Sequence, residues 1–443
     1  MALLNSVFLI IYMLGSTYLN GEDIYLLSII HMGIVGLSNI SFKRLVLYPS
    51  SAFCFGVIFV NLGNLSLLNQ LNVSHHLAIY GYIKPEYIKS AASIWCISST
   101  FFLLGYDFFN LFNLTNIEII FNKEAFIKNL FYFLLIINIS KLGGVALERN
   151  QVGKIITLLN TIGILFFARL WGNSEDKKYR MYALTLFLIQ TYISLLFSYL
   201  RFELILPSFY LFIGYFIGKG QWKDLFSYRI FPFVFIFILY SSVFQILASN
   251  RLSFISAFTS NNSNNHEVVV REEKAKTGGL LDRSANVAQL TNIVNLVEKK
   301  GFYNGSVSIL LLTALIPRQL WPEKPKIQLG TWFALEIGVG YKNKEGVVNN
   351  SINMTVPGEL YLDFGWLGVV IGSFLFGGFF AAMWNTTRFY HSPYNLTGTI
   401  FGGYLIMLSI GSYADLQIVV TMLSTFLIFL IIKYIYSIYQ INN

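Results

Sequence analysis

The chain has 443 residues, 55% of them hydrophobic, 17% aromatic and only 12% charged, with a mean hydropathy of +0.60. Soluble globular chains carry about twice that charged fraction, so the composition predicts a bilayer as the solvent and argues against a soluble enzyme or binding module. The formal charge of +9 does not call for nucleic acid, because Lys and Arg collect in the inner loops of membrane proteins. Cys54 and Cys96 both fall in apolar stretches without partner spacing, which suggests neither a disulfide framework nor a metal site.

A bilayer core of ~30 Å takes roughly 17 to 25 apolar residues per crossing helix. Windows of that kind recur near 3–19, 24–40, 45–64, 92–113, 130–147, 155–171, 181–200, 202–219, 230–249, 366–386, 396–414 and 416–438. The expectation is an all-α polytopic membrane protein with about twelve transmembrane helices. The first window has no basic lead or small-residue cleavage site and reads as a retained signal-anchor. Lys43, Arg44, Lys123, Lys128, Lys177, Lys178, Arg180, Lys223, Arg229 and Arg388 fall in inner loops if both termini are cytoplasmic. The short outer loops then hold only Lys84, Lys89, Arg149, Lys154 and Arg201, so this orientation is favoured over its inverse. The chain thus divides into nine transmembrane helices over 1–249, a large outer loop over 250–365 between helices 9 and 10, and three helices over 366–443.

Within that loop, the Asn/Ser run from Ser260 to His266 reads as flexible. Val287, Leu290, Val294 and Val297 recur at helical spacing, predicting an amphipathic helix over 284–300. Lys299 and Lys300 suit its negative end and Gly301 its left-handed stop. Such a helix lies on the membrane surface or acts as a moving lid. The apolar run 306–315 is too short to cross and reads as re-entrant or interfacial. Irregular backbone at membrane depth needs protein or a water-filled cavity around it, which points to a cavity on the outer side.

Pro317, Pro322 and Pro325 then impose a stiff, non-helical path on which Arg318, Lys324 and Lys326 project cations near Trp321. The segment serves either as an interfacial anchor meeting anionic headgroups or as a binding site. Arg201, at a hairpin tip between two apolar runs, either snorkels to the surface or faces a cavity, with Glu203 in pairing reach. Arg283 reads as a solvated charge or a further cation of the same site. Glu359 follows Pro357 and Gly358 just outside the tenth helix, either as a carboxylate facing the outer cavity or as a charge favoured by the helix dipole. Asp415, at another outer turn, has the same two readings. Asp107, in an apolar helix, is expected to make a structural hydrogen bond. There is no Walker loop, GxGxxG, DxD pair or His/Cys cluster, so no nucleotide, cofactor or metal is expected.

The string Ile316-Pro317-Arg318, Leu320-Trp321-Pro322, Lys324-Pro325 resembles the signature of Wzy-type polymerases, which build O-antigen and related surface polysaccharides. Arg201 is similar to that family's arginine at the outer end of a middle helix. Arg283 with the amphipathic stretch, and Gly358-Glu359, Tyr361, Phe364-Gly365 and Gly368, resemble the segments flanking the signature. The resemblance covers roughly 201–380. It implies glycosyl transfer at the periplasmic face of a bacterial inner membrane, from one undecaprenyl-pyrophosphate-linked oligosaccharide to another. A flippase and a chain-length regulator are the implied partners, alongside membrane lipids; nucleic acid and cofactor are not. On this reading Arg201, Arg283 and Arg318 stabilise the departing pyrophosphate, and Glu359 takes the acceptor's proton. Lys324, Lys326, Tyr361 and Asp415 bind substrate. The competing readings are an O-antigen ligase, a lipid-linked oligosaccharide flippase and a non-catalytic assembly partner. The ligase relies on a loop histidine, and here only His266 stands in that loop, inside the Asn-rich run. A 116-residue outer segment without an inverted repeat argues against the flippase.

Overall fold

The computed structural model describes residues 1–39, 48–70, 83–112, 124–142, 151–197, 201–221, 231, 284–313, 321, 323, 329–340 and 351–410. Among these the protein is all-helical, with no β-strand. In chain order the helices are α1 (Ala2–Tyr18), α2 (Gly21–Ser38), α3 (Pro49–Gln70), α4 (Ile88–Phe109), α5 (Glu124–Leu142), α6 (Gln151–Ser174), α7 (Lys177–Phe197) and α8 (Arg201–Lys219). After a gap come α9 (Val287–Lys300), α10 (Ser306–Thr313), α11 (Leu329–Glu336), α12 (Val356–Leu367), α13 (Ser373–Thr387) and α14 (Leu396–Ile410).

Among the described residues, three stretches are long and apolar enough to cross a bilayer: Pro49–Asn69, Pro85–Phe109 and the continuous Val356–Thr387. The surface agrees with an apolar solvent. Leu3, Val7, Ile10 and Leu14 form an exposed row on α1 at intervals of three and four residues, and Leu26, Ile30, Ile34 and Leu37 form another on α2. In water, two such rows would be a large exposed apolar patch; against lipid chains they cost nothing.

Without a hydrophobic force between helices inside a bilayer, close packing and interhelical hydrogen bonds hold a bundle together, and small residues let backbones approach. The α4–α13 pair is built this way. A Cβ placed on Gly105 would lie 1.9 Å from the Phe374 carbonyl oxygen, and one on Gly377 would lie 1.9 Å from that of Phe102. Ser98 and Ser373 hydroxyls hydrogen-bond across the same seam at 2.6 Å. The α6–α8 pair repeats the device, with Gly172 against the Tyr215 carbonyl and Gly218 against that of Arg169. Arg169 itself is buried; its guanidinium donates to the Phe389 carbonyl at 2.7 Å and to Thr399 Oγ1 at 3.2 Å, and stacks 4.4 Å over the Phe389 ring. It thereby fixes the turn between α13 and α14.

Asp107 makes the expected structural hydrogen bond. It accepts from Asn5 Nδ2 at 3.2 Å, Asn5 Oδ1 pairs with His31 Nε2 at 2.9 Å, and His31 Nδ1 pairs with the Tyr12 hydroxyl at 3.2 Å. This chain joins α1, α2 and α4 with polar groups that would otherwise be stranded in the core.

Candidate functional site

The predicted amphipathic helix exists as α9 and stops where expected, at Gly301 with φ of 79°. Its setting differs from the expectation of a surface helix or lid. Val287, Leu290 and Ile293 are fully buried, and the polar Thr291, Asn292 and Gln289 are buried as well. The reason lies in α3, whose buried Asn64 accepts hydrogen bonds from the Asn286 and Val287 backbone N–H groups at 2.8 and 3.0 Å. Its Nδ2 donates to Asn286 Oδ1 at 3.0 Å. Those N–H groups belong to the unpaired first turn of a helix, so Asn64 caps α9 from another helix. The Tyr87 hydroxyl donates to Glu298 near the other end. Over its first half the polar side of α9 meets protein rather than water.

The long apolar stretch over 356–387 is interrupted. Gly365 has φ 61° and ψ −145°, outside the helical region, and residues 368–372 form a π-helical turn. Such an interruption leaves backbone groups without helical partners, and protein must satisfy them where water is excluded. The turn joining α9 to α10 does so: Tyr303 N–H donates to the Leu362 carbonyl and Asn304 N–H to that of Asp363, both at 3.0 Å. Gly365 also leaves room for the Phe302 ring, which a Cβ there would meet at 2.9 Å.

Asp363 completes the joint. Its fully buried carboxylate accepts from Val307 N–H at 3.2 Å, Ser308 N–H at 2.7 Å and the Ser308 hydroxyl at 2.5 Å, capping the N-terminus of α10. A carboxylate there also meets the positive end of the helix dipole. Sequence reasoning assigned Asp363 no role; its signal was an acid four residues after Glu359, which places both on one helical face.

Glu359 lies within the first turn of α12, not outside the helix. Thr355 caps that turn by accepting from Gly358 N–H at 3.3 Å, and Pro357 occupies a first-turn position where no N–H is required. The Pro-Gly pair that looks like a breaker is thus a helix start. Glu359 is 2% exposed. Next to it, Gly358 packs against Ile293 and Leu290 of α9. A carboxylate buried in an apolar bundle is a functional candidate by default. Tyr361 stands half-buried in an aromatic group, edge-on to Phe302 at 6.0 Å and to Trp366 at 5.8 Å. Phe302 and Trp366 are both exposed, so their ring faces are available to the apolar face of a sugar or to a lipid chain.

Arg201 is the first residue of α8, and its side chain lies outside the described residues, as do Arg283, Arg318, Lys324, Lys326 and Asp415 altogether. The ends that flank the proline-rich segment are described. On one side stands α10, capped by Asp363. On the other stands α11, where Glu336 pairs with Lys300 of α9 and Gly330 accepts from Ile352 N–H at 3.0 Å. The hydrogen bond to Glu336 holds the Lys300 ammonium above its ordinary pKa. The described helices flanking the basic segment are therefore tied in, α10 to α12 and α11 to α9 and to the chain leading into α12. Beside this joint a cavity of about 440 Å³ runs along Phe302, Asn304, Leu360, Asp363 and Gly368. No cluster of His, Cys, Asp and Glu able to hold a metal occurs among the described residues. No family model, curated protein or solved structure matches this chain.

Proposed function

We propose that the chain is a membrane glycosyltransferase that polymerises undecaprenyl-pyrophosphate-linked oligosaccharide repeat units at the periplasmic face of a bacterial inner membrane. What supports this reading is the resemblance of Ile316–Pro325 to the signature of Wzy-type polymerases, together with the described helices on either side of it, α10 bonded to Asp363 of α12 and α11 to Lys300 of α9. About twelve helices cross the membrane, both termini are cytoplasmic, and 250–365 lies outside.

In the reaction, the bond between the growing chain's reducing-end sugar and its pyrophosphate breaks. A hydroxyl of the incoming unit's non-reducing sugar forms the new glycosidic bond, and its proton passes to Glu359. The departing undecaprenyl pyrophosphate carries the developing negative charge. Arg201, Arg283 and Arg318 stabilise it through planar, permanently charged forks, with Lys324 and Lys326 in support. Tyr361 and Asp415 bind sugar. Glu359 is buried, so this role requires the packing around it to open when the acceptor arrives.

Arg318→Lys tests the segment. It keeps the charge and loses the fork, which weakens a bidentate pyrophosphate contact by about 1.5–3 kcal/mol and shortens the surface polymer on a gel at matched protein level. A headgroup anchor tolerates the exchange, and a wild-type ladder from this variant would return the segment to that simpler role.

A further inference from the structure

A second cavity, of about 630 Å³, opens between α1, α4 and the α12–α13 stretch, away from Glu359. The two helices that form most of it run antiparallel: Lys89 Nζ donates to the Thr17 carbonyl at 3.0 Å, while at the opposite end Asn5 reaches Asp107. Along α4 the lining runs Lys89, Ser90, Ser93, Ile97, Phe101. Its far half is completed by Leu9, Met13, Trp366 and Val370. The groove thus has a polar end and an apolar end.

The polar end is built for an acceptor that the protein does not supply. Ser93 is 5% exposed, yet its hydroxyl makes no hydrogen bond among the described residues, although it lines the cavity. Ser90, one turn before it, is likewise without a partner among them. Both hydroxyls open on the cavity, where a ligand oxygen takes up a donor that the protein leaves to the groove. Lys89 stands above both and forms no ion pair among the described residues, although Glu22, Asp23 and Glu86 stand on neighbouring elements. One cation among nearby acids suits a single negative charge and disfavours a pyrophosphate. From Lys89 to Phe101 is twelve residues, about 18 Å of helical rise, close to the depth of one leaflet of a ~30 Å hydrocarbon core.

We propose that this groove binds one anionic glycerophospholipid, its phosphodiester on Lys89, Ser90 and Ser93 and an acyl chain along Ile97, Phe101 and Trp366. Trp366 meets Tyr361 edge-on, so a lipid seated here braces the aromatic group on α12 from its membrane side. The site does not depend on the chain being a polymerase.

The test is native mass spectrometry of the purified full chain, incubated with equal amounts of phosphatidylglycerol, phosphatidylethanolamine and undecaprenyl phosphate. The wild type retains one phosphatidylglycerol in preference to the other two. Lys89→Ala binds it about tenfold more weakly, as expected for losing a charge-assisted contact, whereas Lys89→Arg retains it. Met13→Trp alters an exposed residue and fills the apolar half, so it also loses the lipid with the head contacts intact. Equal retention by all variants, or phosphatidylethanolamine held as well as phosphatidylglycerol, would overturn the site. Preferential retention of undecaprenyl phosphate would replace the phospholipid with the carrier lipid and equally contradict the proposal.

Discussion

Glu359→Gln is expected to abolish long polymer while the protein still folds and inserts. The substitution keeps shape and removes basicity, and losing a general base costs typically 10²–10⁴-fold in rate. Surface glycan from cells carrying the variant at matched protein level should contain single repeat units, delivered by a separate ligase, without the ladder. Loss of the single units as well would point to a ligase or flippase. An unchanged ladder would remove Glu359 from the chemistry and leave it as a buried acid at a helix start, worth ~0.3–1 kcal/mol through the dipole.

The second large effect is structural. Asp363→Ala deletes three hydrogen bonds at once and leaves two backbone N–H groups of α10, of the buried Val307 and the part-buried Ser308, without their acceptor. Hydrogen bonds to a charged group contribute about 1.5–3 kcal/mol each, not fully additive, so the joint between α10 and α12 should weaken by about 3 kcal/mol or more. The thermal midpoint in detergent should fall, and amide exchange over 301–313 should accelerate before the rest of the bundle. Asp363→Asn, which keeps one acceptor oxygen, should lie between the two. A midpoint unchanged in the alanine variant would show that the turn and the Gly365 break are held by the backbone bonds of Tyr303 and Asn304 alone.

Much of the local structure was legible because its signals are local. The stop of α9 at Gly301 follows from a residue that tolerates positive φ, and the pairing of Asp107 follows from the cost of an acid in an apolar helix. The burial of α9 was not legible. Asn64 lies 222 residues before Asn286, and nothing in either segment names the other. The start of α12 was misplaced because Pro357 and Gly358 break a helix interior yet fit a first turn, and only the Thr355 cap distinguishes the cases. The α4–α13 seam is carried by glycines that in one sequence look like any others. Lys89 counted in the sequence only as a loop charge; its groove arises from three helices remote in the chain. The arginines drawn from the resemblance lie outside the described side chains.

Reconstitution tests the central claim most directly. The purified chain in liposomes, given an undecaprenyl-pyrophosphate-linked repeat unit, should convert it to a ladder of longer lipid-linked products. One undecaprenyl pyrophosphate should be released for each unit added, and the ladder should vanish with Arg318→Ala. Repeat units that remain single, while a lipid A core supplied in the same liposomes becomes glycosylated, would contradict the polymerase and identify a ligase.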